Sequence, residues 1–222
     1  LRPRPHGKDG ALAISRSSFI DYIRNTAAIW EMLAFVKLRG VGGDLELAKA
    51  TEAEIRDTIF EKAGIISADE LADETRRIRI GLEMNRTGPR RKHEIDIKYG
   101  SGGMLDIYFA IRFLQLRDGV RDIADDRSTG RTLELLRDAG SLDEEQFLLL
   151  KHGYDFLSAL DHYLRLTIGR TTRLPQANSA ALSLVAERMK LASSDELLEN
   201  LTAHRLDIRN AFDAILGNKR DL

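Results

Sequence analysis

Apolar residues recur at intervals of three and four along most of the chain, which is the spacing of one face of an α-helix. Serine or aspartate precedes several of these runs, and glycine follows several of them, as expected at the two ends of helices. The pattern predicts helices over about 17–38, 44–62, 67–86, 104–117, 128–139, 141–168, 179–191 and 195–216. The predicted capping residues are Ser17 or Ser18, Asp44, Ser67 with Glu70, Ser141 with Glu144, and Asp195. The sequence therefore predicts an all-α protein.

The longest interruption of the helical pattern runs from Thr87 to Gly103. Within it, Ile95, Ile97 and Tyr99 alternate with polar residues, which predicts a short extended segment before a glycine-rich turn. The helices after residue 103 are joined mostly by short connections, so we expect residues 104–222 to pack as a C-terminal helical bundle.

Composition narrows the class of protein. Of 222 residues, 43% are hydrophobic, enough to bury one sizeable core or two small ones. Charged residues make up 31% but the formal net charge is only -1, so no overall field favours nucleic acid or an anionic membrane. The chain has no cysteine, its five histidines lack metal-ligand spacing, and no apolar run is long enough to cross a membrane. We expect a cytoplasmic protein with no metal site in this chain.

Two segments combine cations with glycines, and both can be interpreted as anion sites. The candidate residues are Arg2, Arg4, Gly7, Lys98, Gly100, Gly102, Gly103 and Asp106. Backbone amides near glycine, together with arginine or lysine, suit phosphate oxygens. The alternatives are a frayed basic terminus for the first segment and, for the second, a tight turn in which Lys98 pairs with Asp106.

Two further segments are weaker candidates. The first contains Trp30, Glu31, Lys37, Arg39 and Asp44, where the simpler expectation is a core tryptophan beside a solvated glutamate. The second contains Asp155, Asp161 and His162, which do not define a metal site and are expected on a solvated or salt-bridged face. The basic residues 90–92 lack interleaved aromatic residues, so no nucleic-acid partner is expected. No catalytic residue can be assigned.

Taken in order, these segments resemble one family. Residues 2–12 are similar to the Arg-Leu-Arg-Pro-x-Gly-x-x-Gly-x-Leu segment of glutamine synthetase adenylyltransferases. Trp30-Glu31, Lys37, Arg39 and Gly43-Asp44 continue the resemblance. Residues 96–109 are similar to the family's Asp-x-Lys-x-Gly-x-Gly-Gly-x-x-Asp-Ile-Glu-Phe block, which is the most specific match.

The resemblance implies an enzyme that transfers AMP from ATP to a tyrosine of glutamine synthetase, or removes it by phosphorolysis. Residues 1–103 would be the end of an α/β nucleotidyltransferase core with connecting helices, and 104–222 the helical domain. The chain does not begin with Met, so we expect a fragment whose metal-binding carboxylates lie upstream of Leu1. Mg²⁺ and ATP would then bind the longer enzyme and not this fragment alone. Glutamine synthetase and a PII-type signal protein are the implied partners.

Within that resemblance, the candidate residues near Arg2 and Lys98 would face the nucleotide or a domain interface, and those near Trp30 would be interface or structural residues. Pro3, Tyr108 and Arg112 depart from the family pattern, which has Leu, Glu and usually Gln at these positions. The adenylylating and deadenylylating halves of such enzymes share this layout, so either remains open. The competing interpretation is a non-catalytic helical module that binds a protein partner; an upstream Gly-Ser followed by an Asp-x-Asp pair would favour the enzyme.

Overall fold

The computed structural model describes residue 5 and residues 10–86, 94–122, 126–169 and 171–217. Within these residues the chain forms nine helices and two short strands, which confirms the all-α prediction. The elements are α1 (Arg16–Asn25), α2 (Ile29–Phe35), α3 (Leu45–Ala63), α4 (Ala68–Arg86), β1 (Glu94–Asp96), α5 (Met104–Asp118), α6 (Thr129–Asp138), α7 (Glu144–Thr167), β2 (Arg173–Pro175), α8 (Ser179–Arg188) and α9 (Ser194–Ile215). No helix of the described residues is both long enough and apolar enough to cross a membrane.

The described residues belong to two compact units. The first unit contains residues from 1–76 and 112–127, and the second unit contains residues from 77–111 and 128–222. Helices α4 and α5 each contribute to both units. The sequence predicted a domain boundary between residues 103 and 104, at the start of the C-terminal helical domain. That boundary stays a prediction.

In the first unit, α3 packs against α1 and α2 around a small apolar core. The fully buried side chains of this core include Ile23, Met32, Leu33, Ile55 and Ile59. Asp44 caps α3 as predicted, because its carboxylate accepts hydrogen bonds from the amides of Glu46 and Leu47 at 3.0 and 3.1 Å.

The single helix predicted over 17–38 is wrong, because the chain forms α1 and α2 with a break between Asn25 and Ile29. Lys62 of α3 stabilises the break by donating hydrogen bonds to the carbonyls of Ile23 and Ala27, at 3.2 and 2.6 Å. The carbonyl of Ile23 lies in the last turn of α1, where carbonyls have no partner within the helix. The start also differs from the prediction: Ser15, not Ser17 or Ser18, caps α1 by accepting the amide of Ser18.

In the second unit, α7 packs against α6, α8 and α9, and α8 packs against α9. The buried positions of the two long helices include Leu150, Leu157 and Leu164 of α7 and Leu201 and Phe212 of α9.

Two helix starts in the second unit differ from the prediction. Asp143 and Gln146, not Ser141 and Glu144, form the capping box of α7, because the amide of Ser141 is already hydrogen-bonded to the carbonyl of Leu136 at the end of α6. Ser193, not Asp195, caps α9.

The two strands form one small antiparallel sheet in which Ile95 lies opposite Leu174. The predicted extended segment through Tyr99 ends earlier, at Asp96, since one carboxylate oxygen of Asp96 accepts the amides of Lys98 and Tyr99 and turns the chain. The partner strand β2 was not predicted.

Candidate functional site

The glycine-rich turn (residues 97–103) lies between β1 and α5 in the second unit. Most of its amides donate to groups of the protein itself: Gly100 donates to the carbonyl of Asp96 at 3.1 Å, and Gly103 donates to the carbonyl of Gly100 at 3.0 Å. The amide of Met104 returns to the carbonyl of Ile97 at 3.0 Å. These donors hold the turn in one shape and are not directed at a ligand.

Gly102 brings the turn into direct contact with α9. Its φ angle is +67°, and a Cβ atom at this position would lie 1.9 Å from the carbonyl oxygen of Arg205. Only glycine combines this backbone conformation with such a close approach. Arg205 reinforces the contact, because its Nε donates to the carbonyl of Ser101 at 3.0 Å.

A buried ion pair fixes the other side of the turn. Asp106, in the first turn of α5, contacts Nε of Arg79 from α4, and neither side chain is exposed to solvent. Nη2 of Arg79 donates to the carbonyl of Gly100 at 2.8 Å, and the second carboxylate oxygen of Asp106 accepts the amide of Gly102 at 2.7 Å. The pair therefore connects α4, the glycine-rich turn and α5. We call Arg79, Asp106 and this turn the closed cluster.

Further charges surround Asp106. Nη1 of Arg209 lies 3.7 Å from Asp106 and 3.8 Å from Glu83, and Glu83 also lies 3.2 Å from Nη1 of Arg79. Burial raises the pKa of Asp106, and the attraction of Arg79 and Arg209 and the Gly102 amide oppose this without reversing it.

The ion-pair partner expected for Asp106 is wrong: the partner is Arg79, whereas the Nζ atom of Lys98 lies 5.7 Å from the centre of the Tyr99 ring. Sequence reasoning missed Arg79. The one sequence feature that could have indicated its burial is spacing: Arg79 follows the buried residues Leu71 and Thr75 at four-residue intervals along α4. The structure thus places Lys98, Gly100, Gly102, Gly103 and Asp106 in one neighbourhood, and their nucleotide-side or interface role stays a prediction. Arg2, Arg4 and Gly7 lie outside the described residues.

The candidates near Trp30 occupy the first unit. The expectation of a solvated Glu31 is wrong: it is buried, and its carboxylate accepts the hydroxyl of Tyr22 at 2.6 Å and the amide of Ala28 at 3.0 Å. Trp30 is half-buried. Lys37 donates to the carbonyl of Arg127 at 2.8 Å.

Arg39 lines a cleft of about 510 Å³ in the first unit, which we call the basic cleft. Its cationic lining residues are Arg39, Lys49, Arg56, Arg121 and Arg127, and its acidic ones are Glu52, Asp57 and Asp122. Five cations thus face three carboxylates, so the cleft carries a formal excess of two positive charges.

Several positively charged side chains lie close together in and near the basic cleft, and the pKa of two of them is lowered by burial and by this proximity. Burial lowers the pKa of Arg56, and Arg127 and Arg121 lower it further, against the opposing effect of Asp122 and Glu52. Burial also lowers the pKa of Lys37; Asp122 opposes this shift, and the nearby arginines, including Arg56, add to it. The carboxylates present do not offset the desolvation and mutual repulsion of these cations.

The long helix α7 carries the remaining candidates on a salt-bridged face, as predicted. Asp155 pairs with Lys151, and Asp161 accepts a hydrogen bond from Nε of Arg165 at 2.7 Å. The ring of His162 lies 5.3 Å from that of Tyr163. In the described part of the chain, no group of three or more histidine, aspartate or glutamate side chains is placed to hold a metal ion.

Comparison with known proteins matches two segments of the chain to family models. Residues 1–54 match the family model described as glutamate-ammonia ligase adenylyltransferase, and residues 75–216 match the one described as GlnD PII-uridylyltransferase. The chain is 32% identical to a bifunctional glutamine synthetase adenylyltransferase/adenylyl-removing enzyme of Nitrosomonas europaea over 99% of its own length. It is 30% identical to the protein of the same name from Corynebacterium diphtheriae over 92% of its length.

These relatives are much longer proteins: the chain spans 23% of the Nitrosomonas europaea protein and 20% of the Corynebacterium diphtheriae protein. The matches still include both motif-bearing segments of this chain, the one that begins at residue 1 and the glycine-rich turn with the helices that hold it. The chain therefore belongs to the glutamine synthetase adenylyltransferase family.

Proposed function

We propose that this chain is the helical part of a cytoplasmic nucleotidyltransferase that transfers AMP from ATP to a tyrosine of glutamine synthetase, or removes it by phosphorolysis. The activity would regulate nitrogen assimilation. Mg²⁺ and ATP would be held by carboxylates of the longer protein outside residues 1–222. In-line attack on the α-phosphorus would take place there. This chain would position glutamine synthetase or transmit the signal of a PII-type protein.

The closed cluster is the observation that supports this role. The segment that resembles the family most specifically, residues 96–109, is fixed by Arg79 of α4 on one side and by the backbone of α9 on the other. A turn held on both sides keeps a fixed position relative to α4 and α9, because little of its backbone is free to rearrange. A protein that binds to the turn would therefore be oriented relative to these helices. Such rigidity suits a part that orients a protein substrate.

The test is adenylylation of purified glutamine synthetase with α-labelled ATP and Mg²⁺. It compares this chain alone with a longer protein in which the same chain follows an upstream nucleotidyltransferase part. We expect label on glutamine synthetase only from the longer protein. If neither protein transfers label, and neither releases labelled ADP from adenylylated glutamine synthetase when inorganic phosphate is present, the proposal fails and the non-catalytic interaction module takes its place.

A variant of the longer protein tests the role of the closed cluster. We expect Gly102→Val to reduce AMP transfer strongly, because the turn can no longer approach α9. Gly81→Ala is the matched control, since a Cβ atom at Gly81 meets no heavy atom within 4 Å. Equal transfer by both variants would show that the closed cluster has no part in the reaction.

A further inference from the structure

We propose that the basic cleft of the first unit binds the phosphate group of a small anionic ligand. The evidence for this site is independent of the function proposed above, although free phosphate is also the co-substrate that phosphorolysis would use. The inference follows from one buried arginine, from the arrangement of charge around it and from the size of the cleft.

Arg56 is the central residue of the argument. Its side chain is only 8% exposed, and among the described residues its Nη1 has no hydrogen-bond partner. The nearest carboxylate oxygen of Asp122 lies 3.9 Å away, too far for a hydrogen bond. Buried guanidinium groups are normally hydrogen-bonded, because an unpaired buried charge is strongly unfavourable. An anion in the cleft would supply the missing acceptor.

Arg127 adds a second available donor. Its Nη1 donates to the carbonyl of Leu38 at 2.8 Å and its Nη2 pairs with Glu52, but its buried Nε has no hydrogen-bond partner in the described part of the chain. Two arginines that line the same cleft thus each keep one buried N–H group without an acceptor.

The carboxylates of the cleft are already engaged. Glu52 accepts the amide of Gly40 at 2.8 Å as well as Arg127, and Asp57 pairs with Arg121. Oδ1 of Asp122 accepts the side-chain amide of Gln115 at 2.8 Å, and Oδ2 is the oxygen that lies 3.9 Å from Arg56. By contrast, no ion pair within the described ranges involves the exposed cations Arg39 and Lys49. A dianionic ligand would therefore offset the excess of two positive charges without displacing an existing pair.

The donor geometry favours phosphate. Guanidinium groups present planar pairs of N–H groups, and a phosphate group offers three terminal oxygens that accept from several directions at once. The cleft volume of about 510 Å³ is within the range of small-molecule sites, so it can hold the remainder of a phosphorylated metabolite as well as free phosphate.

Isothermal titration calorimetry on the whole chain tests the proposal with inorganic phosphate, ribose 5-phosphate and ribose. We expect saturable binding of one equivalent of inorganic phosphate or ribose 5-phosphate, and none of ribose. Tighter binding of ribose 5-phosphate than of phosphate would assign the site to a phosphorylated metabolite, and the reverse would assign it to free phosphate. The absence of saturable binding by both phosphate compounds would overturn the proposal, as would equal binding of ribose.

Variants locate the binding. Arg56→Met should weaken phosphate binding at least about tenfold, the usual effect of losing a charged hydrogen bond. Arg131→Gln is the matched control: Arg131 is a partly exposed arginine of the second unit that pairs with Glu134 at 2.8 Å, and its loss should leave binding unchanged. If Arg56→Met loses its circular dichroism signal, the double variant Arg39→Gln/Lys49→Gln, confined to exposed side chains, serves instead. Weakening by Arg131→Gln as great as that by the cleft variant would overturn the proposal.

Discussion

Each unit of the molecule contains a buried arginine, and the two have different surroundings. Arg79 in the closed cluster touches Asp106 directly and donates to a carbonyl of the glycine-rich turn. Arg56 in the basic cleft has its carboxylate 3.9 Å away and an Nη1 atom without an acceptor. The closed cluster uses its charge to hold the fold together, whereas the basic cleft keeps part of its charge available. Burial alone therefore does not distinguish the two arginines; the distance from each guanidinium to its nearest carboxylate does.

The closed cluster should be most sensitive at Gly102. In Gly102→Val, the Cβ atom would overlap the Arg205 carbonyl, a backbone atom that cannot rotate away, and the positive φ angle adds strain. We expect a loss of about 4 kcal/mol in the free energy of unfolding, the sum of overpacking and backbone strain. Urea unfolding followed by circular dichroism measures it. Gly81→Ala, where the added Cβ atom meets no heavy atom within 4 Å, should change stability by less than about 1 kcal/mol, and an equal effect of the two variants would exclude the close approach.

Arg79→Met tests how much the buried ion pair between Arg79 and Asp106 contributes to the free energy of unfolding. Removing the guanidinium leaves the Asp106 carboxylate buried with only the more distant Arg209, so we expect a loss of about 3 kcal/mol in urea unfolding. The double variant Arg79→Met/Asp106→Asn should recover part of this loss, because the neutral amide is less costly to bury and its oxygen can still accept the Gly102 amide. Additive losses in the double variant would mean that the two residues do not interact energetically.

The sequence predicted what depends on local interactions. Asp44 caps α3 as expected, because its partners are the amides two and three residues ahead. Where two capping candidates lie close together, as at Ser141 and Asp143, the sequence did not show which one the preceding helix would already use. Helix existence was therefore predicted better than helix starts.

Features that depend on distant residues were missed. The break between α1 and α2 is stabilised by Lys62, which lies 35 residues beyond Ala27. The partner of Asp106 is Arg79, which lies in a helix with many other charged residues, so its sequence does not single out this arginine. At the basic cleft, Arg39 was identified only as part of a weaker candidate segment, and Arg56 and Arg127 were not identified at all. Nothing local distinguishes an arginine that faces a cleft from one that faces solvent.

Within the basic cleft, Glu52 should have a moderate effect that depends on pH. Burial alone would raise its pKa, but the Gly40 amide and Arg127 outweigh burial and bring the pKa of Glu52 below 4.5. A lowered pKa in the folded state stabilises the protein above pH 4.5, and this stabilisation is lost as the pH falls through the folded-state value. Glu52→Gln should therefore cost about 1–2 kcal/mol at pH 7, and the difference from the unsubstituted chain should shrink in acid.

The measurement for Glu52→Gln is urea unfolding at several pH values, followed by the fluorescence of Trp30. Trp30 is the single tryptophan of the chain and lies in the first unit, so it reports on the unit that contains the cleft. Glu134→Gln is the control, because Glu134 is 40% exposed and pairs with an exposed arginine. A difference for Glu52→Gln that stays constant between pH 7 and pH 3 would contradict the lowered pKa.

The smallest change should come from Arg56→Met, which contrasts most directly with Arg79→Met. Arg56 makes no close ion pair, it is repelled by Arg127 and Arg121, and the carboxylate of Asp122 keeps its hydrogen bond from Gln115. Methionine retains most of the apolar contact of the arginine stem. We expect the free energy of unfolding, measured by Trp30 fluorescence in urea without phosphate, to change by less than about 1 kcal/mol. An arginine that serves to bind a ligand should contribute little to stability when the ligand is absent. A loss as large as that of Arg79→Met would therefore show that Arg56 is a structural residue. The contrast between the closed cluster and the basic cleft would then fail.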